Sequence, residues 1–432
     1  MKRLFCLLLA AMLLLCGCAG VTADTDFEPD YPTQSATEPA TDEEILAYRR
    51  DVVEQAMREQ SAVLWSPAET FTYSRRNNSQ GLKADKEETP NDVFTFYAGR
   101  IYQGIPYTHG SGSYYSWLSY ATSQDENGVY TLTGLTTQHL NGKSSNRVNL
   151  CARLGNDCAD QLFWAWGRIS GSIRFTGTAS MTNFYGCLKV GDYDYTGTAF
   201  SAENNTKQIV KANGEQRMFA AYAQLQKGDG MTLVNTGGEG HAVMVVSTEA
   251  VYLDDGTIDG EKSFVTVLEQ TSGCEHDQKS YYNEEIGAKV YPCEIMDKAW
   301  SYNEIFKKGY LPMTCKELVD PSPRPAAQIT DYTDAPSLDN MFGGVIQANY
   351  RISSITVTVT KNGNTVQEAT CYGHQEEMYQ FNLYRFMDKV EQTVMQGVID
   401  PDALESGNYH CTFTVRLSTG ENIPFRDFDF TK

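Results

Sequence analysis

The chain has 432 residues and a formal net charge of −20 at pH 7, from 35 Lys and Arg against 55 Asp and Glu. This charge argues against a nucleic-acid partner and against attraction to anionic lipid or anionic wall polymers, all of which select basic surfaces. The length that remains after the N-terminal segments exceeds one typical domain, so two domains are expected.

The N-terminal residues predict export and a lipid anchor. A basic start precedes the apolar run Leu4–Leu15, which is too short to span a bilayer and is typical of a signal peptide. The run ends in Leu15-Cys16-Gly17-Cys18, which is similar to a bacterial lipobox, so residues 1–18 predict a lipoprotein signal peptide with Cys18 lipidated. A plain signal peptide cut at another small residue is the alternative. Residues 19–41 are rich in Thr, Asp, Glu and Pro and predict a disordered tether. The signal peptide, the lipidated Cys18 and the tether together predict a protein outside the cytoplasm, on the outer face of the bacterial cell membrane.

Residues 42–319 carry mixed helical and strand patterns, which predict an α+β domain. A capping-box pattern at Thr41–Glu44 begins a helix that ends near Pro67. Apolar residues at helical spacing predict another helix from Cys158, and the preceding Asn156-Asp157 can cap it.

Other elements of this domain follow from shorter patterns. Stretches rich in β-branched and apolar residues predict strands, and short amphipathic stretches predict helices. The predicted strands are 231–235, 241–251, 263–269 and 310–313, and the predicted helices are 216–225 and 300–308. The stretches 111–157 and 171–215 are rich in small polar residues and are interpreted as insertions or surface excursions.

The proline-rich stretch 320–328 predicts a linker, and residues 329–432 predict a mostly β domain. Tyr409-His410-Cys411 resembles the tyrosine corner of immunoglobulin-like sandwiches, with Cys371 a possible partner of Cys411. A helical pattern over 380–396 fits such a sandwich less well. The predicted strands are 352–360, 409–417 and 424–430, with a turn at Asn362-Gly363.

Cysteine usage gives no metal prediction. Of the eleven cysteines, three lie in the signal region, and the disulfide pairing of the others is not readable from the sequence. No Cys/His cluster has zinc-site spacing, so neither a metal nor a cofactor is predicted. The sequence predicts no oligomeric state.

Three side chains offer the parts of a cysteine hydrolase. Cys158 lies in the first turn of its predicted helix, where the helix dipole and free N–H groups favour a thiolate. His241 begins one predicted strand and Glu269 ends another, so they can act as base and orienting carboxylate. A hairpin centred at Asp255 would set His241 opposite Glu269, whereas a centre near Gly260 would break this pairing. A lone exported cysteine is more often a disulfide half or a core residue, and the histidine and glutamate are what favour catalysis.

These residues resemble the core motifs of NlpC/P60 and CHAP cysteine hydrolases, over roughly residues 90–315. The phrase Gly104-Ile105-Pro106-Tyr107 resembles the substrate-side tyrosine motif of NlpC/P60 enzymes. The orienting glutamate is closer to CHAP, where an Asn commonly follows two positions later, although this chain has Thr271 there. The other matching motifs are Asp157-Cys158-Ala159, Gly228-Asp229, Gly240-His241 and Val267-Leu268-Glu269-Gln270.

The resemblance implies a papain-like α+β fold and amide hydrolysis through a thioester on Cys158. It implies that Tyr107 lines the substrate cleft, and Trp65 and Trp166 are further candidates for that lining. Together with the predicted location it implies peptidoglycan stem peptides as substrate, with the membrane contacted through the lipid anchor only. One alternative is an inactive surface lipoprotein of the same fold that binds wall peptides or a protein partner. Another is a transglutaminase-like enzyme, which normally pairs its histidine with aspartate.

Overall fold

The computed structural model describes fourteen stretches of the chain. They are residues 41–74, 93–107, 114–118, 121–133, 155–171, 173, 177–182, 186–195, 205–235, 240–270, 279–333, 335–372, 379–387 and 395–432. The predicted signal peptide, Cys18 and residues 19–40 of the predicted tether lie outside them, as do Cys151 and Thr271. Within the described stretches, no helix is both long enough and apolar enough to cross a membrane.

The helices begin where the sequence supplies caps. The longest follows Thr41, whose side chain and that of Glu44 form the predicted capping box. A second capping box, between Ser301 and Glu304, begins the helix predicted near residue 300. The helices are α1 Asp42–Ala62, α2 Tyr114–Leu118, α3 Cys158–Trp166, α4 Thr178–Thr182, α5 Thr206–Asn213, α6 Glu215–Tyr222 and α7 Tyr302–Lys308.

Two six-stranded sheets organise the first part of the chain, together with a small ribbon of two strands. One sheet has the order β11-β12-β4-β1-β6-β5, the other the order β13-β10-β9-β8-β14-β7, and β2 pairs with β3. The strands are β1 Leu64–Pro67, β2 Phe71–Ser74, β3 Val93–Phe96, β4 Ile101–Gln103, β5 Ala121–Gln124, β6 Val129–Leu132, β7 Cys187–Lys189, β8 Gly230–Val234, β9 Gly240–Glu249, β10 Phe264–Gln270, β11 Tyr281–Asn283, β12 Ala288–Pro292, β13 Glu294–Ser301 and β14 Leu311–Cys315.

Helix α3 lies at the centre of this arrangement. Every residue from Cys158 to Trp166 is buried, because the helix packs against α1 on one side and against β9 and β10 on another. Its tryptophans and phenylalanine belong to a single hydrophobic core that runs from Val52 to Leu318. The helix that carries the candidate nucleophile is therefore a core element.

The stretches 111–157 and 171–215, interpreted as insertions or surface excursions, contain paired strands and buried residues. The interpretation was therefore wrong for those parts of them. Strands β5 and β6 extend the first sheet, with β6 parallel to β1, and Trp117 of α2 is fully buried. Strand β7 pairs with β14 at the edge of the second sheet. Their small polar residues hid short strands whose pairing partners are distant in sequence.

The C-terminal part is mostly β, as predicted, and has a core of its own between Met341 and Phe430. It contains a three-stranded sheet, β15-β16-β19, and a five-stranded sheet, β20-β18-β17-β21-β22. The strands are β15 Ile329–Asp331, β16 Val345–Ala348, β17 Ile352–Lys361, β18 Asn364–Tyr372, β19 Gln380–Asn382, β20 Gln396–Gly397, β21 Asn408–Leu417 and β22 Asn422–Thr431.

The predictions for single residues of this C-terminal module are confirmed at one turn and contradicted at its cysteines. Asn362 and Gly363 both have positive φ, as the tight turn between β17 and β18 requires. The hydroxyl of Tyr409 donates to the carbonyl of Glu405 at 2.7 Å, which is the backbone contact expected of a tyrosine corner. Cys371 lies opposite Ile355 on β18, and Cys411 lies opposite Val359 on β21, on the other side of β17. No disulfide joins the two cysteines, so their suggested pairing was wrong.

The helical interpretation of the pattern over 380–396 was also wrong for the residues that the structure describes. The described part holds the short strand β19, a 3₁₀ turn at Leu383–Met387 and the two-residue strand β20. Phe381 and Leu383 are fully buried, and Phe386 is almost so. These apolar residues fill the C-terminal core, and tertiary packing overrides their helical spacing.

Candidate active site

Asp157 fixes the start of helix α3. It is the N-cap residue, and its carboxylate accepts a hydrogen bond from the backbone N–H of Asp160 at 2.8 Å. The N–H of Gln161 donates to the Asp157 carbonyl at 3.0 Å. Among the described residues, no hydrogen bond engages the N–H of Cys158. As a first-turn N–H, it has no acceptor within the helix and lies beside the sulfur, at the positive end of the helix.

The structure brings Cys158, His241 and Glu269 together. The side chain of His241 adjoins Cys158, whose charge and polar contact raise the pKa of the imidazole, and its Nε2 lies 2.9 Å from Glu269 Oε1. Because Nε2 faces the carboxylate, Nδ1 is the ring nitrogen that remains for the sulfur. Cys158 is a free thiol and is 5% exposed. The imidazole therefore lies between a thiol and a carboxylate, which is the geometry of a nucleophile, its base and an orienting group.

The predicted strand register was wrong, although the pair forms. Leu268 pairs with Met244, with a bulge earlier in the ladder, so Glu269 lies level with Val243 and not with His241. Glu269 and His241 are thus diagonal neighbours on one face of the sheet, a separation that two long side chains can bridge. A shift of two residues preserves the face, because side chains alternate with a period of two.

The charges of the three side chains reinforce one another. Burial alone would lower the pKa of His241, but the charge and hydrogen bond of Cys158, and then those of Glu269, outweigh it and raise that pKa to about 10. Burial would likewise raise the pKa of Glu269, but His241 and then Lys298 and Lys308 hold it below its usual value. The arrangement therefore favours the protonated form of His241 beside the Glu269 carboxylate.

Gly240 has a packing role. A Cβ atom at this position would overlap the side chain of Thr178 in helix α4 and approach the carbonyl of Leu233 at 2.7 Å. The glycine lets α4 pack against the start of β9, directly beside His241, and so helps to place the imidazole.

A buried polar network joins Cys158 to the loop that carries Tyr107. Gln270 Nε2 donates to the carbonyl of Ile105 at 2.8 Å and to Asn156 Oδ1 at 3.1 Å. The N–H of Ile105 donates to Glu294 Oε1 at 2.9 Å, and Tyr107 forms a parallel bridge with Asn156. Asn156, two residues before Cys158, thus holds the loop and does not cap the helix.

Glu294 connects this loop to two helices. Its Oε2 accepts hydrogen bonds from Ser61 of α1 and Gln161 of α3, and its side chain is fully buried. Burial raises the pKa of this carboxyl to about 7, against the effect of its hydrogen-bond donors. Gly104 has a φ of +81°, and a Cβ there would lie 2.8 Å from Glu294 Cγ, so only glycine fits this turn. Sequence reasoning missed Glu294, because its partners are distant in the chain.

The predicted substrate-lining residues differ in their placement. Tyr107 is partly exposed and lies next to the segment that precedes Cys158, where it can line a cleft. Trp65 and Trp166 are fully buried, so neither offers a side-chain surface to a substrate, which argues against the predicted lining role. Their indole N–H groups instead donate to the carbonyls of Gly104 and Gly228, at 2.9 and 2.8 Å.

The Gly228-Asp229 motif is structural. Gly228 has a φ of +84°, and its carbonyl accepts the hydrogen bond from Trp166. The Asp229 carboxylate is buried and is satisfied by Arg50 at 3.0 Å and by the hydroxyl of Thr314 at 2.6 Å. These contacts link helix α1 to the second sheet, and they leave no role for Asp229 in the chemistry at Cys158.

Comparisons with known proteins identify no relative. No family model matches the chain, and no curated protein matches it. A solved structure with some similarity is described as the crystal structure of a tetra-tandem repeat in the extending region of a large adhesion protein. It shares 13% sequence identity over 47% of this chain and 40% of that one, with a TM-score of 0.16. This chain thus spans less than half the length of that structure, and a similarity of this size carries no argument about fold or function.

Proposed function

We propose that this protein is a cell-surface cysteine hydrolase with a papain-like domain of the NlpC/P60 and CHAP type. The observation that carries the proposal is the position of His241, which adjoins Cys158 on one side and is hydrogen-bonded to Glu269 on the other. The order of these residues along the chain and their placement on a helix start and two adjacent strands also support it. The C-terminal module is proposed to be immunoglobulin-like, on the strength of its two sheets and the contact between Tyr409 and Glu405.

The proposed reaction is amide hydrolysis in two steps. The Cys158 thiolate attacks the carbonyl carbon, and the oxygen gains negative charge that the first-turn N–H of Cys158 can stabilise. The imidazolium of His241 then protonates the leaving amine as the C–N bond breaks, which leaves a thioester. In the second step His241 takes a proton from water, and the resulting hydroxide releases the acid and the thiolate. Glu269 holds the imidazole orientation and stabilises its charge in both steps.

The proposed substrate is the stem peptide of peptidoglycan. This assignment rests on the motif resemblance and on the predicted signal peptide with a lipidated Cys18, which would hold the enzyme beside the wall. Tyr107 is proposed to contact the peptide, because it is partly exposed and borders the segment that leads into Cys158.

The function is tested with protein produced without residues 1–18, incubated with purified peptidoglycan, with product masses read by mass spectrometry. Hydrolysis adds one water for each amide bond that is cleaved. We therefore expect fragments whose masses together equal the mass of the uncleaved segment plus one water for each cleaved bond. The Cys158→Ala variant is expected to release none. Equal release by both proteins, or no release by either, would contradict the proposal. Crosslinked products that have lost ammonia would indicate a transglutaminase-like activity instead.

One observation favours the alternative of an inactive protein that binds wall peptides. Only 5% of Cys158 is exposed, so access to its sulfur is narrow. Alkylation with iodoacetamide near pH 6 separates the two, because an activated thiolate reacts there and an ordinary thiol barely does. Rapid labelling of Cys158 supports a hydrolase, and lack of labelling supports the binding protein.

A further inference from the structure

The first turn of helix α3 carries a buried ion pair with the C-terminal module. Arg351 Nη2 lies 3.0 Å from Asp160 Oδ1, and the two side chains are 3% and 0% exposed. Asp160 is the third residue of the helix that Cys158 begins, whereas Arg351 immediately precedes β17. A charge at this depth requires a partner, and removal of one partner leaves the other buried and uncompensated.

The other end of the same helix is held by the same module. Ser418 Oγ donates to the carbonyl of Gly167, the C-cap residue of α3, at 3.0 Å. The N–H of Ser418 donates to the carbonyl of Arg351 at 2.8 Å, and Ile352 pairs with Leu417 between β17 and β21. The contacts at the two ends of the helix therefore come from one rigid unit, the paired ends of two central strands.

The ion pair also places a positive charge, that of Arg351, near the two carboxyls at the start of α3. The charged groups that face this end of α3 are His241 from β9, Glu269 from β10, Asp157 and Asp160 from the helix start, and Arg351 from the module. The charge of Arg351 acts on both Asp157 and Asp160. Burial raises the pKa of both carboxyls, that of Asp160 to about 7, and the positive charge of Arg351 opposes this rise.

We propose that the C-terminal module is a clamp on the nucleophile helix, with Arg351 as a positioning residue for Cys158. This inference rests on the proposed function for its consequence in catalysis, whereas the clamp itself is a property of the fold. On this proposal, the module supports the reaction by holding helix α3 in position, and not by contacting the substrate.

The test compares Arg351→Met, Asp160→Asn and the double variant in the chain without residues 1–18. The first readout is amide hydrogen exchange of residues 158–166 by mass spectrometry. The second is the rate of Cys158 alkylation by iodoacetamide between pH 5 and pH 8. For Arg351→Met we expect α3 to exchange at least about tenfold faster and the alkylation profile to move up by about one pH unit, a tenfold loss of rate near pH 6. The double variant removes both charges and is expected to recover most of the alkylation rate.

Arg426→Met is the matched control. Arg426 is also buried, but its ion pair with Asp331 lies within the C-terminal module. If this variant speeds exchange in α3 as much as Arg351→Met does, the effect is general loosening and the clamp is refuted. Unchanged exchange in Arg351→Met also refutes it. Faster exchange in Arg351→Met alone supports the clamp, even if wild-type Cys158 fails to alkylate near pH 6, an outcome that would refute only the hydrolase.

Discussion

At His241, burial and ionic contacts act on the pKa in opposite directions, and the contacts dominate. A neutral histidine at the same depth would be the expected state without Cys158 and Glu269, because burial disfavours charge. The imidazolium is therefore a property of the three residues together. Its stabilisation is present below the ordinary pKa of histidine and is lost as the pH rises through about 10.

Glu294 gives a pH dependence of the opposite kind. Its pKa of about 7 lies above the value of an unfolded chain, so the folded state binds the proton more tightly. Stability is expected to fall by about 3 kcal/mol between pH 4.5 and pH 7 from this group alone, because ionisation favours the unfolded state. Glu294→Gln should therefore remove part of the pH dependence of unfolding, which urea titrations at pH 5 and pH 8 measure.

The control for this prediction is Glu304→Gln, since Glu304 is an exposed carboxylate that belongs to a capping box. It is expected to leave the difference between pH 5 and pH 8 nearly unchanged. Stability curves of Glu294→Gln and wild type that run parallel between the two pH values would show that the Glu294 carboxyl does not titrate in this range.

Helix α3, nine residues long, belongs to the core and also carries the proposed nucleophile. All nine of its residues are buried, yet on the proposed function it starts with a thiol that must meet a substrate. Three polar side chains at its start make separate contacts: Asp157 caps it, Asp160 forms an ion pair with Arg351, and Gln161 donates to Glu294. The apolar residues supply the packing, and these three contacts fix the orientation of the first turn.

The N-cap of α3 can be tested separately. Asp157→Ala removes the acceptor for the first-turn N–H groups and is expected to lower the free energy of unfolding by about 1 kcal/mol. Asp157→Asn keeps an acceptor oxygen and should retain most of that stability. Urea unfolding of both variants at one pH measures the difference. Equal losses in the two variants would mean that the charge of Asp157, and not the cap, is what matters.

The elements that the sequence predicted are those with a local cause. Helix α1 follows from its capping box, and β9 and β10 follow from their apolar residues between turns. Strands β4 and β6 are three and four residues long and carry no pattern that separates them from loop. Their existence depends on partners such as β1 and β12, which lie elsewhere in the chain.

The site shows the same division. Cys158, His241 and Glu269 could be chosen from residue type and context, because each begins or ends a recognisable element. The contacts of Arg351 with Asp160 and of Gln270 with Asn156 could not, since each joins residues more than a hundred positions apart. The exact register of β9 and β10 was also beyond prediction, because a bulge shifts it within the ladder.

At the scale of the whole molecule, the two cores are coupled through helix α3. All five tryptophans, at positions 65, 117, 164, 166 and 300, lie in the first core, and the C-terminal module has none. Tryptophan fluorescence therefore reports unfolding of the first core alone. Arg351 and Ser418 connect that core to the module, so destabilising the module should be visible in a signal that originates elsewhere.

Phe413→Ala tests this coupling. Phe413 is fully buried in the centre of β21, and its removal is expected to cost the module about 3–5 kcal/mol. We expect the midpoint of the fluorescence transition in urea to move to lower concentration. Val366→Ala, at an exposed position in the same sheet, is the control and should have little effect. A fluorescence midpoint that Phe413→Ala leaves unchanged would mean that the two cores unfold independently.

The position of Arg351 and Ser418 after Cys158 in the chain has a consequence for timing. Synthesis proceeds from the N-terminus, so helix α3 is made long before the two residues that hold its ends. On the proposed mechanism, an unfinished or truncated chain has the thiol, the imidazole and the carboxylate but not their alignment. Hydrolytic competence would then begin only when the strands that carry Arg351 and Ser418 have folded against the helix, near the end of synthesis.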